Sequence, residues 1–439
     1  MKQLLIVAIL LVNTLNLNAQ DLNQLDEFLN ILEANDKLMA TMTITNDGNQ
    51  IYNKAVGYAD VEGNIENTKE TKFRIGSITK AYTATMIFQL IDEGRITLDS
   101  PLTLFFNGMP SASKITIAHL LNHSSGLYNI TNDPKFGEWM LKPSSREDIL
   151  KRVKAYDLDF NPGEQTAYSN TNYILLGYII EILDKDLYKQ ALDRRIVKKI
   201  GLENTYYGKE INSAINESHS YVIENESWTI TPETDMSNPG GAGAIVSTSE
   251  DLTMFMNALF TGKLISDVSL DAMKKTNDNE TCHGIFYANM NGLDIYASEG
   301  GIDGFQSMLV HIPELKTTVA LTANALDFSK MQIILSTFGL LSGQPITMPI
   351  FTKLELTEEQ VKQYEGEYAC EAVPYKLIFK AKGNTLLGAP EQSNLKELVP
   401  TKQHQFTFDT LGIVLDFFPE TEVVKFTKGD DKPLIFKKQ

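Results

Sequence analysis

Two cysteines in 439 residues, Cys282 and Cys370, are too few for a disulfide framework or a thiolate metal cluster. They fall in segments read below as different domains, so two free, buried thiols are expected rather than a bond between them. The six histidines form no HExxH pair, which removes that zinc-hydrolase signature, and no GxxxxGKS/T phosphate loop occurs. Basic residues are in deficit: 39 Lys and Arg face 56 Asp and Glu, for a net charge of −17. Such a surface suits neither phosphate backbones nor anionic membranes, so no nucleic-acid partner is expected. After the first nineteen residues no run of ~18 apolar residues remains, so the mature chain should carry no transmembrane segment. What is present is an ordinary globular composition, with 43% hydrophobic and 22% charged residues, and enough length for a large core in about three structural units. Internal repeats and low-complexity tracts are lacking.

Residues 1–19, MKQLLIVAILLVNTLNLNA, have the layout of an export signal. Lys2 supplies the positive end, Leu4 to Val12 an apolar run too short to span a bilayer, and Ala19 the small residue before a cut. A periplasmic or secreted protein is the expectation. Leu22, Leu25, Phe28, Leu29 and Leu32 then recur at helical spacing, which predicts a helix over 21–34. Two β-rich runs flank Asp47-Gly48, a hairpin signal. Helical patterns follow near 78–93, 116–122, 146–155, 171–184 and 249–261, and strand-like runs return at 306–312 and 317–323. This order predicts an α+β domain over 20–345, with one antiparallel sheet assembled from both ends, flanking helices and a helical lobe. Pro345 and Pro349 bracket a linker over 346–354. From 355 to 439 come short alternating runs, YKLIFKA, HQFTF, IVLDFF, EVVKF and PLIFK. Turn signals at Lys382-Gly383-Asn384, Leu411-Gly412, Pro419-Glu420 and Lys428-Gly429-Asp430 separate most of them, and a small antiparallel β-barrel is expected.

The sharpest chemical signal is Ser77-Ile78-Thr79-Lys80, which runs into the apolar helix AYTATMIFQLIDEG. Residues three apart on a helix share a face, so a Lys80 amine can reach the Ser77 hydroxyl and take its proton. The amine must be neutral to do so. Burial and the positive end of the helix dipole both favour the neutral form, and the dipole also favours negative charge on the serine oxygen. The plain structural alternative is a capping serine followed by a solvated lysine. A second SxxK, Ser111 to Lys114, follows Pro110 and has no comparable apolar helix behind it. The second signal is Tyr168-Ser169-Asn170, after Pro162-Gly163. A tyrosine can relay a proton for a Ser/Lys couple, and an asparagine can orient the lysine or a substrate amide. Tyr287-Ala288-Asn289 repeats the spacing, and a turn tyrosine packed on the core is the alternative for either.

Taken together these elements resemble the serine β-lactamase and penicillin-binding-protein superfamily, in its class C and D,D-carboxypeptidase-like branch. The likeness extends to His119-Leu120-Leu121-Asn122-His123-Ser124-Ser125-Gly126-Leu127 before the second motif and to the helix after Tyr168-Ser169-Asn170-Thr171-Asn172-Tyr173. It also covers Gly240-Gly241-Ala242-Gly243 with the Ser247–Leu252 helix start, and spans about residues 25–340. The region after 355 resembles the barrel extensions of some of these hydrolases. The resemblance implies Ser77 as the acylated nucleophile, with Lys80 and Tyr168 sharing proton transfer and Asn170 supporting them. It also implies an oxyanion hole from the Ser77 and Gly301 N–H groups.

The third family motif is where this chain departs. The matching stretch is Ser298-Glu299-Gly300-Gly301. Ser298 stands where the family has His or Lys, and Glu299 where it has a small residue; the glycines remain and still allow close approach. A group that helps bind a substrate carboxylate is lost, and a carboxylate aimed into the site repels one. The expected function is therefore an exported serine hydrolase acting through a Ser77 acyl-enzyme on a small amide, ester or peptide. By resemblance the substrates are cell-wall peptides or β-lactams, and the altered motif favours neutral esters, amides or cationic peptides. No cofactor or metal is implied, since Ser/Lys/Tyr chemistry needs no Lewis acid. Nothing in the pattern points to an oligomeric state. The alternative from another class is a non-catalytic ligand-binding protein that keeps the fold.

Overall fold

The computed structural model describes residues 19–224, 227–276, 282–290, 292–351, 354–391, 393–408, 411–428 and 432–439. The export signal expected over 1–19 therefore lies outside the described residues except for Ala19, as does the turn at Gly429-Asp430. The chain divides into two compact units, Met39–Leu326 and the remainder, to Leu38 and from Asp327.

The first unit is built on a six-stranded antiparallel sheet. Its strands are β1 (Leu38–Asn46), β2 (Asn49–Val56), β3 (Phe286–Met290), β4 (Leu293–Ile302), β5 (Phe305–Ile312) and β6 (Thr317–Leu326). They stand in the order β3-β4-β5-β6-β1-β2, so the N-terminal hairpin joins strands from the far end of the domain sequence. Asp47 and Gly48 both take positive φ in the hairpin turn, which is the conformation that an Asp-Gly pair tolerates. β1 and β6 are buried on both faces, with Thr41 bonded to Thr322 and Asn257 bonded to Thr45, so these polar side chains are satisfied inside the core.

The helices of this unit form the lobe that carries the site. α2 (Thr79–Asp92) is buried at every residue from Thr79 to Leu90, which is why its sequence is apolar on all faces. Beside it in the same core stand α3 (Ile117–Leu121), α4 (Asn170–Asp184) and α5 (Ser249–Phe260). Ile87, Leu120, Tyr173, Leu176 and Phe255, all fully buried, are the apolar side chains that these four helices bring together. Gly177 on α4 meets Gly241 so closely that a Cβ on Gly241 would sit 2.6 Å from the Tyr173 carbonyl. That contact seats the 3-10 turn Gly240–Ala242 against α4.

In the second unit, α1 (Ala19–Ala34) and α6 (Lys330–Leu341) are joined by an edge-to-face contact of Phe28 with Phe328 at 6.1 Å. A closed eight-stranded antiparallel barrel follows over Gly366–Lys438. Tyr364, Tyr368, Phe379, Phe406, Phe417 and Phe436 fill its interior, and Tyr368 pairs with Lys438 to close it. Both cysteines are free; Cys282 is buried as expected, but Cys370 is only half-buried, because it stands at the end of the first barrel strand rather than inside the barrel.

Candidate active site

Ser77 sits in a 3-10 turn, Gly76–Ile78, that leads into α2. The strand before it, Phe73–Arg74, pairs with Ile245–Ser247, and the Ile75 N–H donates to the Ile245 carbonyl at 3.0 Å. Gly76 takes φ +52°, and a Cβ there would lie 2.8 Å from the Gly301 nitrogen. Gly300 meets the Ile75 carbonyl just as closely, while the Ser307 hydroxyl donates to that carbonyl at 2.9 Å. The turn that bears Ser77 thus lies backbone to backbone on β4, and only glycine fits at Gly76 and Gly300. Arg74 fastens the same corner. Its buried guanidinium bonds Asp303 and the Thr234 carbonyl from one nitrogen, and Glu233 and the Lys209 carbonyl from the other.

Lys80 is one turn further along and buried, with Nζ 2.9 Å from Ser77 Oγ, 2.8 Å from Asn170 Oδ1 and 2.7 Å from the Ala242 carbonyl oxygen. Two of these partners can only accept. Asn170 is held in that orientation because its Nδ2 donates to Thr131 Oγ1 at 3.1 Å. A neutral amine has two N–H donors and one lone pair, so the two fixed acceptors use both donors and the lone pair is left facing Ser77 Oγ. Burial lowers the Lys80 pKa, and the Tyr168 phenol opposes that shift through its charge and its hydrogen bond. Tyr168 Oη lies 2.7 Å from Ser77 Oγ, and the Tyr168 ring is 4.9 Å from Lys80 Nζ. The serine oxygen therefore stands between an amine and a phenol, each within proton-transfer distance.

The remaining expected residues edge the same place. Ser298 is buried, Glu299 is exposed, and both line a small cleft with Ser77, Lys80, Tyr168, His123, Tyr173, Cys282, Gly284, Ile285 and Phe286. Gly300 and Gly301 are held against the Gly76 turn. The ladder to β3 ends at Ala297, one residue before this stretch. Burial pushes the Cys282 thiol up to about 12, so it is not a nucleophile at neutral pH. The duplicate motifs lie elsewhere. Ser111 and Lys114 are exposed in a turn, and Tyr287 and Asn289 both bond Asp294 on the β3–β4 hairpin. Among the described residues no group of three or more His, Cys, Asp or Glu side chains forms a metal-ligand set. Arg74, Asp303 and the Ala242 carbonyl were not singled out from sequence; an arginine set between Phe73 and Ile75, three residues before a candidate nucleophile, is the one signal that could have found the first.

An α+β fold whose antiparallel sheet meets a half-buried serine, a buried lysine and a tyrosine is the architecture of β-lactamase and penicillin-binding-protein-like serine hydrolases. The Beta-lactamase family model matches residues 30–338, and the chain belongs to this family. A Bacillus subtilis (strain 168) protein named "Putative penicillin-binding protein PbpX" is 30% identical over 292 residues, 66% of this chain and 72% of that protein. Penicillin-binding protein 4* of the same organism is 25% identical over 410 residues, 86% of this chain and 89% of its own. Among solved structures, the octameric penicillin-binding protein homologue of Pyrococcus abyssi matches in fold with a TM-score of 0.68 at 22% identity, over 95% of this chain and all (100%) of that one. A D-stereospecific amidohydrolase from Streptomyces sp. matches with a TM-score of 0.63 at 26% identity, over 72% of this chain and 97% of that one.

Proposed function

We propose that this chain is an exported hydrolase that is acylated on Ser77 by a small amide, ester or peptide lacking a carboxylate beside the scissile bond. The observation that carries the reading is the triangle of Ser77 Oγ, Lys80 Nζ and Tyr168 Oη, with the serine 2.9 and 2.7 Å from its two partners. In the first step the Ser77 proton passes to the Lys80 lone pair as Oγ attacks the substrate carbonyl. The negative charge on the carbonyl oxygen is met by the Ser77 and Gly301 N–H groups at the Gly76–Gly300 contact. The leaving group departs with a proton relayed through Tyr168, and water then repeats the sequence in reverse to release the acid. Asn170 and the Ala242 carbonyl keep the amine oriented throughout.

Glu299 favours amide or ester substrates over carboxylate-bearing ones, because it adds a negative charge to the lining of the cleft and Ser298 brings no positive one. The D-stereospecific amidohydrolase among the structural relatives is consistent with an amide. Export rests on the layout of residues 1–19. The test is mass spectrometry of the chain lacking that segment after exposure to a fluorophosphonate and, separately, to a penicillin. A fluorophosphonate adduct on Ser77 that Ser77→Ala abolishes, with little penicillin adduct, is the expected result. A lasting penicillin adduct instead assigns the chain to penicillin binding. No adduct from either on folded protein refutes catalysis and leaves the ligand-binding alternative that the altered third motif raises.

A further inference from the structure

We propose that His123 is a positioning residue for this chemistry, holding the Tyr168 phenol on Ser77 through the tyrosine ring and the backbone on either side of it. The inference rests on the Ser77 reading above. His123 takes φ +61°, a left-handed conformation uncommon for residues with a Cβ, in the turn directly after α3. Strain of that kind persists where surrounding contacts over-determine it, and here they do. The His123 ring lies 4.6 Å from the Tyr168 ring at 32°, and 5.2 Å from the Tyr173 ring. Its Nδ1 accepts the Ser169 N–H at 3.1 Å, with the Asn172 amide nitrogen at 3.4 Å. Its carbonyl accepts the Ala167 N–H at 3.0 Å, and the next carbonyl, of Ser124, accepts the Gly163 N–H at 2.8 Å.

One residue therefore grips the Tyr168 segment on both sides of the tyrosine, through Ala167 and Ser169, and supports the tyrosine ring as well. Tyr168 needs that support because it is 43% exposed and its hydroxyl must stay on Ser77 Oγ. The tautomer follows from the bonds. A backbone N–H can only donate, so Nδ1 is bare and the proton sits on Nε2. The ring is neutral: burial, and then the nearby Lys80 charge, push its pKa down to about 3. A neutral ring adds no positive charge beside the amine that must act as base.

The experiment is a double-mutant cycle on the full mature chain, read by the saturation kinetics of fluorophosphonate labelling. His123→Asn keeps an acceptor near the Nδ1 position and tolerates positive φ but removes the ring. His123→Phe keeps the ring but removes the acceptor. Each should lower the maximal labelling rate about tenfold or more, with half-saturation changed less than about twofold, as for a misplaced catalytic group. In a Tyr168→Phe background both should have less than about twofold further effect, because their action runs through the lost hydroxyl. An equal loss in that background marks a merely structural role and overturns the proposal, as does wild-type labelling by both variants. Histidine nitrogen NMR on the unmodified chain gives a reading that needs no variant to fold: at pH 7 the His123 imidazole should be the Nε2–H tautomer bonded through Nδ1, and an Nδ1–H or charged ring there overturns the proposal. Failure of the unmodified chain to label refutes the hydrolase reading, and this inference with it.

Discussion

Replacing Lys80 with methionine separates the two roles that its position gives it. The side chain keeps about the same volume but loses the amine that faces Ser77 Oγ, Asn170 Oδ1 and the Ala242 carbonyl. Loss of a positioned general base costs about 10²–10⁴ in rate, which is about 3–5 kcal/mol of transition-state stabilisation. The effect on folding is smaller. Asn170 Oδ1 and the Ala242 carbonyl each lose a donor, at about 1–3 kcal/mol apiece, while the cost of burying a polar amine disappears. The signs of pH dependence follow from the lowered Lys80 pKa. Below the ordinary lysine range the unfolded chain holds that proton more tightly than the fold does. Stability should therefore rise with pH between the lowered value and about 10.5, and Lys80→Met should remove that slope. Labelling of Ser77 should likewise rise with pH as Lys80 deprotonates, with a midpoint below 10.5. The assay is the second-order rate of fluorophosphonate labelling against pH, beside urea unfolding of the same samples. A Lys80→Met protein that labels within about threefold of the parent, with the same rise, refutes Lys80 as the base.

Gly300→Ala should abolish labelling and destabilise the chain by about 1–3 kcal/mol, since its Cβ would run into the Ile75 carbonyl. Gly301→Ala should fold normally, because a Cβ there meets nothing nearer than 3.7 Å; equal unfolding midpoints for the two variants would contradict the close contact. Ser298→His with Glu299→Thr should raise acylation by a penicillin about fivefold or more, the equivalent of ~1 kcal/mol of relieved repulsion at an exposed position. An unchanged rate sinks the electrostatic account of the third motif. Burial pushes His123 down to about 3 and His311 down to about 4, so both stay neutral in the fold while the unfolded chain protonates them near 6.5. Stability should fall as pH drops from about 6 to 4.5, by up to about 1.4 kcal/mol per unit for each histidine. Trp139 and Trp228 both lie in the Met39–Leu326 unit and report its urea unfolding; a flat profile over that range contradicts the burial.

What could be read from the sequence was mostly local. Helix periods, the Asp47-Gly48 turn and the three-residue step from Ser77 to Lys80 are set by neighbours along the chain, and they fall where the pattern put them. In the barrel, five of the eight strands stood out as alternating runs. Gly366–Ala369 holds a single large apolar residue, Tyr368, and so shows no alternation, Thr385–Pro390 ends on a proline, and Lys396–Lys402 carries Pro400 at a bulge, so proline masked two strands that hold it at an end or an irregular position. The site's supports were hidden for a different reason. Arg74 acts through Asp303 and the Lys209 carbonyl, and Lys80 through the Ala242 carbonyl, partners 135 to 229 residues away. A carbonyl has no residue type to recognise, and the left-handed turn at His123 leaves no mark in a sequence where histidine is free to sit anywhere.

The parts that could be read also divide by task. The groups that touch Ser77 Oγ come from α2 and from the segment before α4, whereas the third motif comes from β4. Near Ser77 that strand contributes backbone, with Gly300 and Gly301 fitted to the Gly76 turn. The hydrogen bonds that orient Ser77 Oγ and Lys80 Nζ run instead to each other, to Tyr168, to Asn170 and to the Ala242 carbonyl. Exchanging the β4 side chains at Ser298 and Glu299 therefore alters what faces the substrate while those bonds stay in place. A chain can depart from its family at this motif and keep the Ser77 machinery whole, provided that the two positions where backbone meets backbone stay glycine. The departure at Ser298-Glu299, beside an intact Ser77, Lys80, Tyr168 and Asn170, is for that reason an argument about which molecule is bound rather than about whether the Ser77 machinery is assembled.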